Sequence, residues 1–179
     1  MKSRTAALIS IILFTSLAIS CTESDSSAAA SDSIERPDME FSQVAYSLGR
    51  SEFPPVKMRS STMQLFEDEH LAVLYQVTFE QKDSEGKTIM TGSCSSANID
   101  TDTYQAVLSG KVSIDRPLDE LSIQGEDITW YNDQQKISTD KSVVLQYDSG
   151  SEIRGTGLTC DFRTSEFEFD EITEGRLEP

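Results

Sequence analysis

His70-Leu-Ala-Val-Leu-Tyr-Gln-Val-Thr-Phe79 decides how the rest of the chain is read. Branched and aromatic residues fill it and no period of 3.6 emerges, the composition and spacing of a half-buried strand. The pattern recurs downstream: Gln105 to Ile114 sets Val107, Val112 and Ile114 among polar residues, and Lys136 to Tyr147 alternates around Ile137, Val143 and Leu145. Glu166-Phe-Glu-Phe-Asp170 alternates without a break, with Phe167 and Phe169 on one face and three carboxylates on the other. Asp83-Ser-Glu-Gly86, Asp100-Thr-Asp-Thr103, Asn132-Asp133, Tyr147-Asp-Ser-Gly150 and Arg163-Thr-Ser165 punctuate these runs with turn-forming residues. One short helix is expected, over Ser42 to Arg50. The fold class is therefore all-β, in a domain spanning 41–179.

A repeat runs through the ladder. Ala97-Asn-Ile99-Asp100, Ile128-Thr-Trp130-Tyr131 and Leu158-Thr-Cys160-Asp161 fall 31 and then 30 residues apart. Gly92, Ile123 and Ile153 keep that spacing upstream, and Val112 matches Val143 downstream. Such a period is one out-and-back strand pair per layer, as in a solenoid or jelly roll of stacked pairs.

Upstream, Lys2 and Arg4 precede an apolar stretch from Ala6 to Ile19 that ends in Ala18-Ile19-Ser20-Cys21. About 14 apolar residues fall short of the ~20 that cross a bilayer, so residues 1–20 read as a cleaved leader. Small residues before Cys21 make it the candidate lipidation site, and acyl chains there would hold the protein on a membrane. Residues 21–40, built largely from Ser, Ala, Asp and Glu, read as a disordered tether reaching about 60 Å at ~3.3 Å per residue.

The charge balance narrows the function. Against 31 Asp+Glu stand 15 Lys+Arg, a net charge of −16, which argues against nucleic acid and anionic headgroup surfaces as partners. His70 is the only histidine, so catalytic or metal centres that need several imidazoles are not expected. It follows Glu67-Asp-Glu69 and no nucleophile elbow accompanies it. No glycine loop followed by lysine cradles a phosphate. The chain reads as a non-enzyme without cofactor or metal.

Met90 to Ile114, Leu121 to Val143 and Ile153-Arg-Gly-Thr-Gly-Leu-Thr-Cys-Asp-Phe162 resemble the LptC family of lipopolysaccharide export. Its elements match Ala97, Gly110 with Val112, Ile128 with Trp130, and then Ile153, Gly155, Gly157, Leu158 and Asp161. The resemblance implies an open antiparallel β-jelly roll whose apolar groove receives the acyl chains of lipopolysaccharide. It also implies an inner-membrane ABC transporter as donor and a soluble LptA-like bridge protein as acceptor, joined edge to edge by strand addition. The chain departs from the family in one respect, since a lipid on Cys21 takes the place of the usual N-terminal membrane helix. Localisation is then periplasmic, anchored to the inner membrane; Thr22, not aspartate, follows Cys21, which leaves the outer membrane open as well.

The groove candidates are Trp130, Ile128, Ile99, Ala97, Val112, Val143, Leu158, Phe167 and Phe169. Each is equally an ordinary core residue, because a jelly roll needs most of its inward face merely to fold. Cys94 and Cys160 are either a disulfide or two small buried hydrophobes. The carboxylates of Glu166, Glu168, Asp170 and Glu171 read as a solvated face or as a negative wall that steers lipid phosphates away. An alternative function remains on the same scaffold: an envelope lipoprotein that joins proteins through its sheet edges and carries no lipid.

Overall fold

The computed structural model describes residues 36–49 and 53–178. Its strands are β1 (Met39–Leu48), β2 (Val56–Phe66), β3 (Leu71–Lys82), β4 (Thr88–Asp100), β5 (Gln105–Ser109), β6 (Val112–Arg116), β7 (Leu121–Gly125), β8 (Ile128–Tyr131), β9 (Lys136–Tyr147), β10 (Glu152–Asp161) and β11 (Glu166–Arg176). A single 3-10 turn, Asn132–Gln134, joins β8 to β9. All strands belong to one antiparallel sheet. β5 and β6 lie end to end along β4, and β7 and β8 end to end along β9, so the chain runs up and down as a meander. Among the described residues the sheet is open: β1 and β11 each pair on one side only.

Two expectations are corrected. The helix expected over Ser42 to Arg50 is not what residues 42–48 form: they continue β1, paired with β2 from Val44↔Ser60 to Leu48↔Val56, and Arg50 lies outside the described residues. Gln43 sits in the left-handed region (φ 54) and interrupts the alternation, while pairing with β2 satisfies the backbone and buries Leu48. The single strand over Gln105 to Ile114 is two, parted at Gly110, whose φ of 78 suits glycine and whose missing side chain leaves room for Ser95.

Gly110 belongs to a wider feature. Gln43, Gln76, Gly110, Asp127 and Gly157 all take positive φ near the middle of a long strand or of an end-to-end pair. Pairing also skips a step between Arg59 and Thr62 in β2 and between Thr139 and Ser142 in β9. These breaks, of which the one between β9 and β10 also shifts the register, fold the sheet along a line, giving the long strands a first and a second half. They also reset the alternation. In β3 the buried residues are Ala72 and Leu74 before Gln76, but Val77 and Phe79 after it, so both halves bury the same face.

The core is built in rows across the strands. In one half Ala72, Ile99, Ala106, Trp130, Ile137, Cys160 and Phe167 stand directly opposite one another in successive strands. In the other half the row is Met58, Phe79, Gly92, Ile114, Ile123, Leu145 and Ile153. The sequence repeat thus has a structural meaning: Ile99, Trp130 and Cys160 return to the first row, and Gly92, Ile123 and Ile153 to the second. Gly92 is required there, since a Cβ would run into the Phe79 ring and the Ser113 carbonyl.

Cys94 and Cys160 are buried and unbonded, one in β4 and the other in β10. Burial pushes the Cys94 thiol up to about 11 and the Cys160 thiol up to about 12, so both stay protonated and unreactive at neutral pH.

Candidate functional site: the seam between the two halves

The groove candidates converge on the interior of the folded sheet. Ile99 and Trp130 share a row with Phe167; Ala97 and Ile128 lie one step further along β4 and β8, as do Leu158 and Phe169 on β10 and β11. Val112 and Val143 belong to the other half, where both pair with Gly125. All are buried except Phe167 and Phe169, which are half-buried on the edge strand.

Trp130 marks where the halves meet. Leu108 and Trp130 from one half and Val56, Met58, Phe79, Met90 and Ile114 from the other enclose a cavity of about 10 Å³. That is near the minimum that admits a single water. Around Trp130 the seam is filled by its own side chains, so an acyl chain enters there only if the halves part.

Polar bonds close the seam at this end. Gln81 Nε2 donates to the Pro54 carbonyl (2.6 Å) and to Gln135 Oε1 (3.4 Å). Gln135 Nε2 donates to the Asn132 carbonyl (2.7 Å), and Trp130 Nε1 donates to Asn132 Oδ1 (3.3 Å). Gln81, Asn132 and Gln135 are all buried, so this chain of amides spans from β3 to the β8–β9 turn out of water. Such bonds fix one arrangement more strongly than they add stability. Above them Phe162 packs on Trp130 with ring centroids 5.7 Å apart, and the Arg116 guanidinium lies 4.3 Å over Phe162. Next to Phe162, Asp161 is held by Arg163 (2.9 Å) and by Lys136 (3.4 Å). The Arg163 hydrogen bond is the main cause that keeps this carboxyl far below the usual carboxylate range.

Sequence reasoning missed the second-half wall, Val56, Met58 and Met90, and the amides. Met58 was findable in principle from Val56-Lys-Met58-Arg-Ser60, which alternates. The amides carried no signal, because Asn132 and Gln135 lie in what reads as an ordinary turn.

The faces away from the seam are polar. His70 lies at the β3 start, with Nδ1 3.4 Å from Asp102 Oδ1, and both side chains are exposed. The two free edges differ in charge: β1 exposes Met39 and Phe41, whereas β11 exposes Ile172 among the carboxylates of Glu166, Glu168, Asp170 and Glu171. Among the described residues no helix is long and apolar enough to cross a membrane. Cys21, the leader and most of the tether lie outside the described residues.

With this geometry in place, a comparison with protein families is informative. The family model described as lipopolysaccharide-assembly, LptC-related, matches residues 6–178. No curated protein matches the chain.

Proposed function

The chain belongs to the LptC family and so has a role in lipopolysaccharide export, and from this premise we propose that it carries the lipid by taking its acyl chains into the seam between the sheet halves. The supporting observation is the seam itself: two facing rows of buried aliphatic and aromatic side chains, drawn from nearly every strand, with Trp130 at the junction. Several acyl chains exposed to water would cost about 0.8 kcal/mol per CH₂, and burying them between these rows removes that cost.

The open edges serve the transfer. An unpaired edge offers backbone N–H and C=O groups to a further strand, so a protein of like fold can continue the sheet and its seam. The donor is an inner-membrane ABC transporter and the acceptor a soluble LptA-like bridge. Lipidated Cys21 tethers the domain on the periplasmic side of the membrane, and no residue acts chemically on the lipid.

Because Trp130 is the only tryptophan, its emission reports on the seam without ambiguity. Titration with lipopolysaccharide is expected to change its intensity and wavelength saturably, and the same titration with the lipid's free core sugars is expected to leave it unchanged. The filled seam also favours a second reading, an adaptor that joins envelope proteins by its edges, and an emission that no lipid moves would select it.

A further inference from the structure

Among the described residues one buried side-chain oxygen in the seam has no partner. Ser60 is 6% exposed and its Oγ makes no hydrogen bond, whereas the hydroxyl of the adjacent Ser61 donates to the Tyr75 carbonyl (3.1 Å). The two serines occupy the step where β2 and β3 stop pairing, between Arg59↔Thr78 and Thr62↔Tyr75. Ser60 follows Val56 and Met58 in the buried alternation of β2, so it continues the wall of the seam. An unmade hydrogen bond in an apolar interior is a standing cost, and native structures rarely keep one without a use.

The surroundings of Ser60 are suited to yielding. Met58 and Met63, its nearest buried neighbours along β2, are both thioethers, and Met58 with Met90 lines the cavity next to Trp130. Methionine is unbranched and re-packs around inserted shapes more readily than leucine or isoleucine. An orphaned hydroxyl beside deformable walls is the arrangement needed to receive a chain that is mostly hydrocarbon but carries an oxygen.

We infer that Ser60 reads an oxygen on the acyl chain, a hydroxyl or ester carbonyl, so that the seam prefers oxygen-bearing chains over plain ones. This rests on the carrier reading and adds a selectivity to it. The hydroxyl both donates and accepts, so either oxygen satisfies it. A plain chain leaves it unpaired and gains only the burial of its CH₂ groups.

The test uses the full chain and a matched pair of probes, tetradecanoic acid and its beta-hydroxy derivative, each displacing a fluorescent fatty acid. The hydroxy acid is expected to bind about fivefold more tightly, the size of one net hydrogen bond. Ser60→Ala removes the hydroxyl without breaking any hydrogen bond among the described residues, and is expected to abolish that preference, the ratio of the two affinities falling to about one. Equal affinities in the original protein, or a preference that survives in Ser60→Ala, would overturn the inference. If lipopolysaccharide still moves Trp130 emission in that case, only the role of Ser60 fails. If neither acid nor lipopolysaccharide binds, the carrier reading fails and the selectivity with it.

Discussion

Bridging the two sheet halves covalently is expected to abolish lipid binding. Gln81→Cys and Gln135→Cys, joined in the unfolded chain by a short bismaleimide with a cleavable link and then refolded, would put a covalent tie where a 3.4 Å hydrogen bond now joins the halves. The reason is volume. A cavity of about 10 Å³ holds at most one water, so beside Trp130 an acyl chain has no room until Leu108 and Trp130 move away from Met58, Phe79 and Met90. Both introduced side chains are buried in the folded protein, so the reagent is added before refolding and Cys94 and Cys160 are replaced by alanine. In a Cys21→Ser background the bridged protein is expected to lose at least tenfold in lipopolysaccharide affinity, a loss of ~1.4 kcal/mol, and to regain it when the link is cleaved. Undiminished binding by the bridged form would mean that the lipid does not enter between the halves.

Trp130→Ala is expected to be the most destabilising single change in the seam, by about 4 kcal/mol, read as a shift of the urea unfolding midpoint by circular dichroism. Three losses combine in it. The largest buried ring goes, the packing on Phe162 goes with it, and Asn132 Oδ1 is left buried without its donor. Trp130→Phe keeps a ring against Phe162 and loses mainly the Asn132 bond, so its cost is expected to be less than half as large. A loss below about 1 kcal/mol for the alanine variant would show that the two halves close on themselves without Trp130.

The mid-strand breaks explain what the sequence made legible and what it hid. β9 and the first half of β11 were readable, because Ile137 and Phe167 with Phe169 alternate cleanly. The repeat was readable too, since strands that return to the same row every second pass carry Ile99, Trp130 and Cys160 at nearly constant spacing. β1 and β2 were not. In β2 the buried set is Val56, Met58 and Ser60, then Met63, so the parity changes partway and period two fails over the full strand. Gln43 does the same in β1, and the remaining Ser42, Ala45 and Ser47 gave a helix as good a claim as a strand. The amide chain through Gln81, Asn132 and Gln135 was invisible for another reason: its members come together only when β3 and the β8–β9 turn meet at the closed end of the seam. Polar side chains at such distant positions have no period to betray them.

The most direct measurement of lipid carriage is in-cell photo-crosslinking from benzoylphenylalanine at Trp130, an aromatic replacement that keeps a ring in the seam. Glu168, exposed on the opposite face of β11, serves as the control. The result expected is an adduct carrying lipopolysaccharide from position 130 and none from position 168. Adducts with proteins alone, and no lipid at Trp130 or at its neighbours Ile128 and Leu158, would contradict lipid carriage and leave the edge-to-edge adaptor.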